Sequence, residues 1–545
     1  MAMCLPLACQ CRLRLVTYLA ELIGGFAMGS WGMAADAIRF SDITDAAGLR
    51  APLAGIMGHG GAWGDIDGDG LIDLFVGGFA DRPNAEYAPA AGAVTNKVFR
   101  NSGDEKFAAV DQPEVSTFAR TSGAIFADLD NNGTPELYVA NNAKQKAARS
   151  EEPQHTAQVR HSQLFRNDGG KFVDISAESG ACPETLFTAR NVAVLDYDND
   201  GLLDLFLIED KFTREPRSVL LRNLGGLKFK DVTAEAGLPL DIFGLGLGVA
   251  DLNGDNRPDF FVGHGNRLFL SQPGNSYREA VELNQVFKHE PLDGEDWPCG
   301  VAFGDLNRDG LMDLVVSTHS IRARNRVFLN HGIKDGLPQF HEITKEAGFA
   351  DVVPVRCPHV EIQDFDNDGW PDIYLSAAWL DERGVTPLIY RHDGLRDRLP
   401  HFTPSRVIAP PMVYYPAGPS GDFNRDGRLD LFLINWFSGN HSRLLRNDSP
   451  SRNWIQVCVK GRTTNRMGIG ARVRIFSSSH GGEAKYLLGL QEVGTGYGYA
   501  SGQPAICHFG LGEAAEIDLE VQLPTGTFVK KLGVKADQLI TIEEP

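Results

Sequence analysis

Asp65-Ile66-Asp67-Gly68-Asp69-Gly70-Leu71-Ile72-Asp73-Leu74 is a ten-residue pattern that occurs seven times in the chain. The other copies begin at Asp128, Asp196, Asp251, Asp305, Asp364 and Asp422, so successive starts lie 63, 68, 55, 54, 59 and 58 residues apart. Chance does not produce seven such matches, and the spacing suits one four-stranded sheet with its loops per copy. The expected fold is all-β: a seven-bladed β-propeller followed by a small β-rich C-terminal domain.

Carboxylates or amides occupy positions 1, 3, 5 and 9 of every copy. The first has Asp65, Asp67, Asp69 and Asp73; the second Asp128, Asp130, Asn132 and Glu136; the third Asp196, Asp198, Asp200 and Asp204. The fourth has Asp251, Asn253, Asp255 and Asp259; the fifth Asp305, Asn307, Asp309 and Asp313. The sixth has Asp364, Asp366, Asp368 and Asp372, and the seventh Asp422, Asn424, Asp426 and Asp430. Side chains at positions 1, 3 and 5 point to one centre, and a carbonyl at position 7 and the acid at position 9 complete an oxygen cage. Hard oxygen donors on a flexible loop suit Ca²⁺ better than Mg²⁺ or zinc. Gly at position 6, or Asn256 in the fourth copy, allows a turn with positive φ. The acid at position 9 rather than 12, without flanking helices, separates the loop from an EF-hand. The expected cofactor is structural Ca²⁺, up to seven ions.

Charge argues the same way. The seven loops hold 24 of the 71 acidic residues, and seven Ca²⁺ would bring the formal charge from −19 to −5. An acidic turn without metal is the alternative, but it crowds three or four like charges at each site. The acidic balance excludes a nucleic-acid binder, which needs a basic footprint.

Each loop joins two strand-like runs, such as Leu74-Phe75-Val76 and Leu205-Phe206-Leu207 downstream. Upstream, small residues alternate with large ones, as in Gly60, Ala62 and Gly64 or Gly300, Ala302 and Gly304. Period two is a strand signature, and a small face suits inner strands that converge on a propeller axis. The sixth copy departs from this with His359, Glu361 and Gln363. They are the candidate ligand-binding residues, projecting into a channel. At the strand ends away from the loops, His59, Arg190, His264, Trp297, His319, Tyr415 and Trp436 are expected to ring one mouth. Phe40-Ser41-Asp42-Ile43-Thr44 precedes every loop and would complete the last blade, closing the ring.

Residues 1–37 read as a secretory signal, with Arg12 and Arg14 before the apolar run from Leu15 and small residues at Ala35-Asp36-Ala37. An N-terminal membrane anchor or a mis-assigned start is the alternative. The propeller is placed at 38–450 and the C-terminal domain at 452–545. Five cysteines beyond residue 37 (Cys182, Cys299, Cys357, Cys458 and Cys507) show no disulfide framework and no C-x-x-C pair. Asn440-His441-Ser442 and Asn447-Asp448-Ser449 match glycosylation sequons.

The seven loops, with Phe-x-Asp-Ile/Val-Thr and Phe-Arg-Asn elements, resemble FG-GAP/VCBS repeats. The tail resembles an ASPIC/UnbV domain in Asn465-Arg-Met-Gly468-Ile-Gly470-Ala471, Gly496-Tyr-Gly-Tyr499-Ala-Ser501-Gly-Gln503 and His508-Phe-Gly510-Leu-Gly512. Leu523-Pro524-Thr525-Gly526 departs from that pattern, in which Trp tends to stand where Leu523 is. The combination is similar to the cartilage-acidic-protein-like family, and the resemblance implies a secreted, calcium-binding propeller without an established reaction. The expected function is therefore a secreted, periplasmic or extracellular binding or adhesion module for a glycan, protein or small molecule. No catalytic residue is assigned. A polysaccharide lyase or hydrolase using His359 and Glu361, or an accessory protein of secondary metabolism, are the alternatives.

Overall fold

The computed structural model describes residues 38–142, 161–186, 188–210, 217–292, 296–320, 322, 324–349, 356–376, 386–407, 409 and 415–545. The expected signal segment lies outside them. Residues Ile38–Pro545 form one compact unit.

Seven sheets of one plan follow each other along the chain. In each, the inner strand ends one residue before the first Asp of a loop and the second strand starts at the loop's ninth residue, as in Gly61–Gly64 and Asp73–Val76. The register closes the loop directly, with Gly64 opposite Asp73 and Leu195 opposite Asp204. The third strand carries the Arg-Asn element, as in Lys97–Asn101 and Val219–Asn223. The last sheet takes its outer strand from the start of the described chain: Phe40–Asp42 runs antiparallel to Arg443–Asn447, Phe40 facing Asn447. The seventh sheet is thus built from both ends of the repeat region, so that its third strand is paired on both sides. The repeat region is all-β and of propeller type.

The small residues of the inner strands serve close packing. A Cβ on Gly64 would lie 2.6 Å from Phe126 of the next inner strand, and one on Gly304 would lie 2.9 Å from Ile362. Apolar clusters fill the wedge between neighbouring sheets; one joins Phe206 to Phe260 and Phe269, another Phe365 and Tyr374 to Leu431 and Leu433.

Beyond Asn447, seven strands make two further sheets. One orders Cys507–Gly512, Asn453–Lys460 and Gln538–Glu543; the other Leu487–Glu492, Arg472–Ser477, Glu516–Gln522 and Phe528–Lys535. Leu523, the residue that stands in place of Trp, is buried in the cluster these sheets share with Ile125, Val194 and Leu207. A short strand from the same region, Ser501–Gly502, adds to the first sheet parallel to Gly61 and Ala62.

Candidate functional site

All seven loops share one hydrogen-bonded frame. The position-1 carboxylate accepts the position-6 N–H at 2.8–3.0 Å in every loop. The position-5 side chain accepts the N–H of position 7, as from Leu71 at 2.8 Å and Trp370 at 2.9 Å. The position-9 acid is anchored by two backbone donors. Asp204, for example, accepts Tyr197 N–H at 2.9 Å and Asn223 N–H at 2.7 Å. These bonds leave the carboxylates of positions 1, 3 and 9 facing one another.

In four loops one carboxylate oxygen from each of those positions lies within 4.8 Å of the others: Asp65, Asp67 and Asp73; Asp128, Asp130 and Glu136; Asp196, Asp198 and Asp204; Asp364, Asp366 and Asp372. In the other three an amide (Asn253, Asn307 or Asn424) stands at position 3, so two carboxylates face one neutral oxygen donor. Burial pushes the Asp73 carboxyl up to about 7, Glu136 to about 8 and Asp196 to about 7, with neighbouring carboxylates adding to the rise. Asp198 Oδ1 is buried and finds no hydrogen-bond partner among the described residues. Clustered, desolvated acids with an orphaned oxygen fit a cation, and an all-oxygen donor set fits a hard one. The four acidic clusters could hold metal ions.

Five of the seven consecutive loop pairs are linked through position 4. Asn131 donates to Gly201 O of the next loop at 2.8 Å, Asn199 to Asn256 O at 3.4 Å, and Asn367 to Gly427 O at 2.8 Å. Arg308 reaches Gly369 O in the same way, and Arg425 of the last loop lies against Gly70 of the first. These residues sit at loop position 4 in the left-handed region, with φ from 55° to 60°. The signal for these links is a long polar side chain, Asn or Arg, at position 4 in five of the seven copies; the other two carry Gly68 and Gly254.

A second set of bonds clasps neighbouring sheets. The third-strand Asn donates to the position-2 carbonyl of the preceding loop: Asn167 to Ile66 O at 2.8 Å, Asn223 to Leu129 O at 2.7 Å, Asn330 to Leu252 O at 3.2 Å and Asn447 to Phe365 O at 2.9 Å. His392 takes that role with Leu306 O at 2.9 Å, and Asn101 bridges the first sheet back to Phe423 O of the seventh at 2.8 Å.

The axis is filled by the chain itself. Residues 494–503 pass between the inner strands. Gly498 exchanges backbone bonds with Val301 at 2.8 and 3.3 Å, and Ser501 and Gly502 pair with Gly61 and Ala62. His359, Glu361 and Gln363 are all buried, and all three face this plug. His359 Nδ1 accepts Tyr499 N–H at 3.0 Å while its Nε2 lies 3.0 Å from Glu361 Oε1. Glu361 also accepts from Gln503 Nε2 at 2.8 Å and from the Ser420 hydroxyl, and Gln363 Nε2 donates to Tyr497 OH at 3.0 Å. The polar wall of the sixth sheet is a socket for the Gly-Tyr-Gly-Tyr-Ala-Ser-Gly-Gln motif. No sequence rule pairs that motif with residues some 140 positions earlier.

At the mouth away from the loops, the His59 ring packs at a tilt against Trp436 (centroids 4.3 Å) and Phe79 (5.1 Å). Its Nδ1 receives Arg190 Nη1 and Tyr499 OH, each at 3.0 Å. Burial and the guanidiniums of Arg190, Arg120 and Arg82 push the imidazole well below its ordinary value, so it is neutral with a proton on Nε2. Arg82 covers the Trp436 ring and Arg120 the Phe79 ring, both at 4.3 Å. Trp297 and His319 form a parallel stack at 5.0 Å, and His264 rests on Phe243. Tyr415 departs from the expectation: it is buried between the sixth and seventh sheets, its hydroxyl on His441 O, because its ring fills that apolar wedge.

Fold and loops together define a class: an all-β repeat protein with one acidic loop per repeat sheet, four of which could hold a metal ion. Residues 65–139, 196–262, 305–375 and 364–433 match the FG-GAP-like repeat, and residues 461–545 match ASPIC and UnbV. The chain belongs to the family of FG-GAP-like repeat proteins that end in an ASPIC and UnbV domain. It is 24% identical to mouse cartilage acidic protein 1 over 510 residues, 90% of this chain and 73% of that one. The human cartilage acidic protein 1 is also 24% identical, over 497 residues, 87% of this chain and 70% of that one. Among solved structures, BBS1N in complex with ARL6DN covers 73% of this chain and 95% of its own, at 12% identity and a TM-score of 0.41. No helix among the described residues is long and apolar enough to cross a membrane.

Proposed function

We propose that the protein is a secreted, calcium-loaded propeller that acts as a binding module, with its ligand site at the axial mouth around His59 and Trp436. The convergence of buried carboxylates in the loops carries the calcium reading. Ca²⁺ tolerates irregular oxygen cages, and each loop supplies most of its own ligands. Amide-bearing loops have one fewer charge and bind more weakly. Because the ions bind the folded chain and not the unfolded one, they stabilise it by mass action.

The ligand reading follows from the mouth. Trp436 is partly exposed at the mouth, with the Arg82 guanidinium over its ring and the neutral imidazole of His59 beside it. Three arginine–carboxylate pairs balance in charge there: Arg82 with Glu86 and Arg120 with Asp81, both partly exposed, and Arg190 with Asp210, buried. A partly exposed aromatic ring beside fixed donors and acceptors suits a neutral sugar, which lays C–H groups against the ring's open edge and bonds through its hydroxyls. The plug seals His359 and Glu361 from any substrate.

Melting in calcium and in EGTA tests the metal reading. A fall of ten degrees or more is expected in EGTA, and identical curves would refute it. For the mouth, tryptophan fluorescence titrated with neutral oligosaccharides is expected to respond in the native chain and not in Trp436→Ala. A response that survives the substitution would place the ligand elsewhere.

A further inference from the structure

The metal loops and the mouth lie at opposite ends of the inner strands, Asp65 following Gly61–Gly64 and His59 preceding it. One part of the chain touches both. The two C-terminal sheets rest on the loops as a cap, and they meet the position-6 residue of six loops in turn. Arg466 Nε would lie 3.0 Å from a Cβ on Gly133, Thr463 O 2.5 Å from one on Gly201, and Leu487 Cδ2 3.8 Å from one on Gly310. Gln522 donates to Asn256 Oδ1 at 2.7 Å, Gly510 O lies 3.8 Å from a Cβ on Gly369, and Trp454 lies flat against Gly427. The cap also bonds the loop acids, Gln456 Nε2 to Asp422 Oδ2 at 2.9 Å and Arg472 Nη1 to Asp251 Oδ2 at 3.3 Å. The plug belongs to this cap, linking its strands Leu487–Glu492 and Cys507–Gly512. Its Tyr499 hydroxyl accepts Arg190 Nη1 at 3.3 Å and lies 3.0 Å from His59 Nδ1, completing the mouth.

We propose that calcium in the loops on one face is coupled to the ligand site on the other through this cap and its plug, residues 494–503. The proposal rests on the loops holding calcium. Position 6 is the residue that the position-1 carboxylate pulls into the turn, so a loop that loses its ion and splays its like charges moves the seat on which the cap rests. A loosened cap withdraws Tyr499 from His59. Linkage makes the effect reciprocal: whatever weakens cap docking also weakens calcium binding.

Hydrogen exchange on the full chain, with calcium and with EGTA, tests this. In EGTA, backbone amides of 494–503 are expected to exchange about tenfold faster or more, while the second strands Asp204–Glu209 and Asp313–His319 keep their protection. Trp454→Ala, which touches no loop carboxylate, is expected to lower calcium affinity severalfold in a calorimetric titration. Unchanged exchange at 494–503 in a chain that EGTA does destabilise would overturn the coupling and leave the calcium reading standing. Simultaneous loss of protection in plug and blades would also overturn it, since the metals would then hold the propeller as a whole. A chain that EGTA affects in neither melting nor exchange would mean that the calcium reading itself fails.

Discussion

Gly427 shows how much one loop residue decides. Its φ is 79°, and a Cβ would lie 1.9 Å from the Trp454 ring. Gly274 has a φ of 87° with nothing within 4 Å of its Cβ position. Gly274→Ala is expected to cost only the left-handed penalty of about 1–2 kcal/mol, and Gly427→Ala clearly more, because the cap must move; urea denaturation compares them. His59 carries a pH dependence. It is neutral in the fold, whereas the unfolded chain takes up a proton below the ordinary value of 6.5. Its contribution to stability is therefore present above 6.5 and lost as pH falls, at about 1.4 kcal/mol per unit. With calcium saturating, His59→Asn is expected to be less stable than the native chain at pH 7.5, and that deficit to shrink by pH 5.5. At this scale the loop acids and the position-6 turn were legible because a local cage needs local spacing. Asn447 reads in the sequence both as the end of an Arg-Asn strand element and as a sequon, yet it is fully buried and its amide donates to Phe365 O and Leu429 O. The folded chain cannot carry a glycan there.

Among the elements, the strands read well because period-two alternation is a property of a few adjacent residues. The closing strand Phe40–Asp42 was equally legible, as an outer-strand pattern with no loop before it. What the Arg-Asn strand ends do was hidden. They look like turn punctuation, but Asn167 has its partner, Ile66 O, 101 residues earlier. Asn167→Ala removes the donor to both Ile66 O and Pro135 O and is expected to cost about 1–3 kcal/mol, measured as a shift in urea midpoint. Gln272 stands one residue beyond Ser271, which holds the clasp position of the fourth sheet but is too short to reach across. Ser271→Ala should therefore cost less than Asn167→Ala.

For the molecule as a whole, the acidity is concentrated: a third of the acids stand in the loops, four of which could hold a metal ion. The filled axis was not legible. The inner strands do present small residues inward, but that space is taken by neighbouring strands and by residues 494–503, whose contacts span the entire repeat region. His359, Glu361 and Gln363 were singled out correctly as unusual, being polar where other sheets are small. Their neighbour is the chain's own C-terminal motif, which only the folded arrangement brings to them. The organisation that results is a set of largely linked loops under a cap, with a plug running to a polar, aromatic mouth. The central claim is that the loops hold calcium, and native mass spectrometry of the chain after gel filtration without chelator measures it directly. At least four bound calcium ions per chain are predicted, one for each all-carboxylate cluster, all removed by EGTA. A folded chain that carries none, and takes up none from millimolar calcium, would contradict it.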